Sequence, residues 1–127
     1  MSANTDRYES AVARYFEAWN AREPDTLARA VATAWSPQGG YTDPLAEVRG
    51  HEGIVAVVSA AQARFPGFAF RLTGAVEGHH DTARFSWELV SEADGSAPVA
   101  GSDVITLDAD GRITAVLGFL DRVPAEV

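Results

Sequence analysis

The chain contains no cysteine and no lysine; all ten basic residues are arginine. Without a thiol there is no cysteine nucleophile, disulfide or thiolate metal site. Without lysine there is no Schiff base and no Walker-type phosphate loop. Neither GxGxxG nor GxSxG occurs, which argues against a dinucleotide fold and a serine-hydrolase elbow. No apolar run approaches a membrane span. The segment Met1–Arg7 carries no apolar signal region, so a cytoplasmic location is expected. A net charge of −8 argues against nucleic acid or an anionic membrane as partner. What remains is 127 residues, 46% of them apolar, enough for one domain over residues 1–127 with its own core. Any catalysis must then rest on carboxyls, histidines and hydroxyls.

Helical spacing dominates the first half. Tyr8, Val12, Tyr15, Phe16 and Trp19 form one apolar stripe between Thr5 and Ala21. Pro24 and Asp25 open a second helix, with Asp25 as the expected cap and Leu27, Val31 and Trp35 facing inward. Ser36–Gly40 ends it. A short extended piece, Tyr41–Pro44, leads into an expected loop as far as Arg49 and Gly50, and a third helix is predicted from His51 to Arg64. Beyond Phe65-Pro66-Gly67 the period changes to two. Strands are predicted over 68–78, 82–91, 99–107 and 112–121, joined by short turns at 78–81, 92–95 and 108–111. Helices followed by an antiparallel meander make an α+β fold, a curved sheet with helices on one side.

Asp103 stands out in this pattern. On a strand it shares a face with Val99, Gly101, Ile105 and Leu107. A carboxyl on an apolar face must find a dedicated partner or keep its proton, because an unpaired buried charge costs several kcal/mol. Tyr15 on the first helix and Asp43 at the end of the short extended piece also point between helices and sheet. One base and two neutral donors around an apolar cavity would suit enolisation of a ketone.

The segments Arg14–Asn20, Tyr41–Pro44, Arg49-Gly50, Gly101-Ser102-Asp103 and Leu117-Gly118-Phe119 together resemble the NTF2-like superfamily of cone-shaped α+β barrels. Within it the chain resembles ketosteroid isomerase and the SnoaL-like polyketide cyclases. The isomerase resemblance implies Asp43 as the proton-shuttling base and Tyr15 as one oxyanion donor. It implies Asp103 as the second donor, an aspartic acid kept protonated by apolar surroundings. It also implies a cofactor-independent enzyme acting on a small apolar carbonyl compound, with no metal, and a homodimer through the outer sheet face, where Val104 lies. Pocket walls are expected from Phe16, Trp19, Trp35, Val58, Phe85, Trp87 and Phe119. A SnoaL-like cyclase or a hydratase would instead use Asp103 as acid/base. A third reading is a non-catalytic module that holds an apolar ligand or a protein.

Plainer roles stand beside these. Tyr15 could be a core tyrosine, Asp43 a turn residue before Pro44, and Asp103 a carboxylate paired with Arg71, Arg84 or Arg112. The arginine–aspartate pair of the limonene-epoxide hydrolases, two apart on a strand, has no match: Ser86 follows Arg84 and Thr73 follows Arg71. His79 and His80 fall in a turn, and His51-Glu52-Gly53 is not HExxH, so metal binding is not expected. Trp19, Trp35 and Trp87 promise a narrow pocket.

Overall fold

The apolar stripe of the first helix decides how the rest of the chain is laid down. In the computed structural model, which describes residues 3–124, α1 (Ala3–Asn20) buries Tyr8, Ala11, Val12, Tyr15, Ala18 and Trp19. Such a stripe must be covered, and the sheet covers it. Helix α2 (Pro24–Ala34) starts with Pro24 in its first turn, where the missing N–H costs nothing. Its cap position is Glu23, which makes no side-chain cap; Asp25, expected there, lies inside the first turn and complements the helix dipole instead. Leu27, Val31 and Ala34 are buried, and Trp35 ends the helix fully enclosed.

Strand β1 (Gly40–Asp43) is followed by a second strand, β2 (Ala46–Arg49), where a loop was expected. Asp43 is the cause. Its Oδ1 accepts the backbone N–H groups of Leu45 and Ala46 at 2.8 and 2.9 Å, closing a tight turn that folds the chain back on β1. Helix α3 (His51–Arg64) then buries Ile54 and Val58.

The remaining strands are β3 (Phe68–His79), β4 (Thr82–Ser91), β5 (Val99–Leu107) and β6 (Ile113–Arg122). The six-stranded sheet has the order β2-β1-β6-β5-β4-β3. Its pairs are antiparallel except β1 with β6, which meet in parallel at Thr42 and Leu117. Register shifts in β3 between Thr73 and Glu77, and between β5 and β6 beside Gly101, are the irregularities that bend a sheet. The result is an unclosed, curved sheet whose concave face receives the three helices.

Strand β5 alternates as its sequence requires: Val99, Gly101, Asp103, Ile105 and Leu107 are all buried, and the residues between them are half-buried on the outer face. Asp103 is the single charged or polar side chain in the buried set among the described residues.

Candidate active site

Three distant segments meet at one end of the concave face. Tyr15 from α1, Asp43 from β1 and Asp103 from β5 all line one cavity of about 150 Å³. Its walls are otherwise apolar: Phe16, Trp19, Phe65, Phe70, Trp87, Leu89 and Val99 among them.

Asp103 is 2% exposed and has two partners, neither an arginine. The Tyr15 hydroxyl donates to its Oδ2 at 2.5 Å, and the Trp87 indole N–H donates to Oδ1 at 3.2 Å. The ion-pair alternative fails: Arg71 and Arg84 are spent on the outer face, against Glu88 and Glu77, and Arg112 makes no pair with Asp103. Burial pushes the Asp103 carboxyl up to about 6, against the downward pull of the Tyr15 and Trp87 hydrogen bonds; the nearby Asp43 charge adds to the rise. The phenol of Tyr15 is raised well above its ordinary value, first by burial and then by the negative field of Asp103. Tyr15 is therefore a donor at any physiological pH.

Asp43 is half-buried and fixed from three sides. Besides the two backbone N–H groups, the Tyr41 hydroxyl donates to its Oδ2 at 2.6 Å. Burial and that hydrogen bond push the Tyr41 phenol upward, so it too stays a donor. Tyr41 was not singled out in the sequence, although its signal was present: residues two apart on a strand share a face.

Two glycines make the arrangement sterically feasible. Gly101 lies opposite Trp87, and a Cβ there would stand 2.4 Å from the indole Cζ2. Gly118 lies opposite Asp103, and a Cβ there would stand 2.9 Å from Asp103 Oδ1 and 3.5 Å from the Asp43 Cβ. A side chain at 118 would occupy the space between the two carboxyl-bearing residues.

The expected pocket walls divide. Phe16, Trp19 and Trp87 line the cavity. Trp35, Val58 and Phe85 do not; they are buried in the packed core beneath it, where the Phe85 ring meets Tyr15 edge to face and the Trp35 ring meets it at a tilt. Phe119 is 59% exposed, because β6 alternation sends Gly118 and Leu120 inward and Phe119 outward. Trp19 Nε1 is a buried donor with no partner. His79 and His80 are exposed, and no group of three or more potential metal ligands occurs among the described residues.

Three helices packed on a curved, unclosed sheet form the fold that solved proteins described as NTF2-like and cystatin-like share with this chain. The SnoaL-like domain family matches residues 12–116, and the chain belongs to that family. It is 32% identical over 114 residues to a steroid Δ-isomerase of Nocardioides simplex, covering 87% of each chain. A solved structure of a candidate isomerase of the SnoaL-like family from Agrobacterium tumefaciens superposes with a TM-score of 0.86 at 39% identity, over 91% of this chain and 98% of that one. A candidate SnoaL-like polyketide cyclase from Jannaschia shares the fold, with a TM-score of 0.76 at 20% identity over 95% and 90% of the two chains.

Proposed function

We propose that the protein is a cofactor-independent isomerase that moves a proton along a small, largely apolar carbonyl compound. Relatives described as isomerases and as a cyclase support an isomerase- or cyclase-type activity in general. The observation that favours isomerisation is the 2.5 Å contact between Tyr15 and a carboxyl pushed up to about 6, at the buried end of the pocket that Asp43 also lines.

Proton counting shows what that contact can do. With Asp103 ionised, the pair owns one proton, and the Tyr15–Asp103 hydrogen bond consumes it. With Asp103 neutral, the pair owns two protons, and one is left to point at a ligand oxygen. In the reaction, the Asp43 carboxylate takes a proton from the carbon beside the carbonyl. The C–H electron pair becomes the enolate C=C bond, and the carbonyl π pair moves to oxygen, where the spare proton of the Tyr15–Asp103 pair hydrogen-bonds to it. In a β,γ-unsaturated ketone that enolate is a dienolate, and Asp43 returns its proton to the γ-carbon, where the β,γ π pair bonds it. The enolate C=C pair moves to the α,β position and the oxygen pair re-forms the carbonyl, so the double bond has shifted and no atom is gained or lost. Such a donor contributes about 10²–10³-fold and a positioned base about 10²–10⁴-fold.

A cavity of about 150 Å³ is below the roughly 300–1,000 Å³ of drug-sized sites, so the substrate we propose is smaller than a steroid, one or two rings. The same reading includes a homodimer through the outer sheet face, where Leu117 and Phe119 are exposed beside Val104. The test is conversion of small cyclic β,γ-unsaturated ketones to conjugated enones, followed by ultraviolet absorbance. Wild type should turn over, and Asp43→Asn should lose about 10²–10⁴-fold while its melting temperature stays within a few degrees. Asp43→Asn with undiminished turnover, or wild type inert on the whole ketone series, would remove the assignment.

A further inference from the structure

Exposure along the cavity runs from a dry acid pair to a single cation. Tyr15, Trp19, Leu89, Val99 and Asp103 form the closed end and are buried; Leu45, Arg64, Leu120 and Val123 form the mouth and are exposed. Among the described residues, Arg64 is the one basic residue on the lining. Its place in α3 is informative. Val57, Ala61 and Arg64 follow one another at helical spacing, so the position that would extend an apolar stripe to the rim carries a guanidinium instead.

Arg64 has no hydrogen-bond or ion-pair partner among the described residues, whereas Arg7, Arg22, Arg71, Arg84 and Arg122 are in ion pairs and Arg14 and Arg49 hold backbone carbonyls. Arg29 and Arg112, also without side-chain partners, do not border the cavity. The carboxyls that share the lining do not neutralise it, since Asp43 is engaged by Tyr41 and two backbone N–H groups, and Asp103 by Tyr15 and Trp87. The last turn of a helix favours a cation, but that preference is indifferent to which side of the helix carries it. A chain of net charge −8 repels anions at long range, so an anionic ligand would depend on a local cation such as this one.

We propose that the ligand is an amphiphilic keto acid: its carbonyl meets Tyr15 and Asp103 at the closed end, and a carboxylate at the far end pairs with Arg64 at the mouth. The guanidinium fork suits a carboxylate in a bidentate pair. This rests on the carbonyl-binding reading above and adds the charge that reading leaves out.

Two planar phenols that mimic the enolate test it: 2-naphthol and 6-hydroxy-2-naphthoate, which differ only by the carboxylate. Each is titrated by fluorescence at pH 5.5, where Asp103 holds its proton and the naphthoate carboxylate is ionised, and at low salt into wild type, Arg64→Gln, Arg64→Lys and Asp103→Asn. Wild type should bind the naphthoate at least tenfold tighter than 2-naphthol. Arg64→Gln should bring the two probes to within threefold of each other, Arg64→Lys should restore part of the gap, and Asp103→Asn should weaken both probes together. Equal binding of the two probes by wild type, or a gap that survives in Arg64→Gln, overturns the keto-acid proposal and leaves the carbonyl site standing. Failure of wild type to bind either probe overturns the carbonyl site and the proposal with it.

Discussion

Under the proposed mechanism, stability and activity depend on the same proton of Asp103. The carboxyl titrates near 6 in the folded chain and at about 3.9 when unfolded. Between those values the folded state binds more protons than the unfolded one, so stability must fall as pH rises through that window. The neutral acid's advantage is complete below about 3.9 and gone above 6, a change of about 3 kcal/mol for a two-unit shift. Asp103→Asn has no such proton. The melting temperature of the variant minus that of wild type should therefore increase from pH 4 to pH 6 and level off above, as read by thermal denaturation across that range. A difference that stays constant with pH would show that Asp103 does not titrate there. In the proposed mechanism the same proton sets activity: kcat/KM reports the free enzyme, and it should fall as pH rises above about 6 as the spare proton is lost.

At the scale of elements, the site is held by what β5 and β6 omit. A cross-strand pair normally gains from side-chain contact. Gly118 forgoes that contact opposite Asp103, and Gly101 forgoes it opposite Trp87. Gly118→Ala places a methyl 2.9 Å from Asp103 Oδ1, on the side of the carboxyl that Trp87 holds. Overpacking of this kind costs about 1–3 kcal/mol. The variant should melt lower and lose at least tenfold in turnover of the ketones that wild type accepts, as measured by denaturation and the ultraviolet assay. Full activity in Gly118→Ala would mean that the spacing of Asp43 and Asp103 is not critical. The β1–β2 hairpin is the other element that matters, because the turn that Asp43 closes is also what aims its carboxyl into the pocket.

The whole molecule presents two faces of opposite use. The concave face is filled by helices and the pocket. On the convex face Leu117 and Phe119 are 51% and 59% exposed and sit beside Val104. Apolar side chains grouped on a sheet face are a common place for two copies to meet. Sedimentation of wild type should show a dimer at micromolar concentration, and Phe119→Asp should shift it toward monomer. A wild type that sediments only as monomer would remove the dimer.

Much of this was legible without coordinates, because periodicity reports which face of each element is buried. The stripe of α1, the alternation of β5 and the buried position of Asp103 follow from spacings of three to four and of two. The fold class follows from helices preceding a meander. The same pattern aimed Tyr15 and Asp43 between helices and sheet, and the resemblance supplied the roles expected of them. Local spacing is silent on which distant side chains touch. Only the packed structure decided that Tyr15, and no arginine, is the partner of Asp103, and that Trp87 is its second donor. Only packing placed Trp35, Val58 and Phe85 beneath the cavity and turned Phe119 outward. The strand at Ala46–Arg49 was missed because a single carboxylate, accepting two backbone N–H groups, overrides weak local propensity. The sequence by itself determined the elements, their buried faces and the presence of one carboxyl where water does not reach. The tertiary structure decided its partners, since hydrogen bonds between residues 88 positions apart exist only once the helix lies on the sheet.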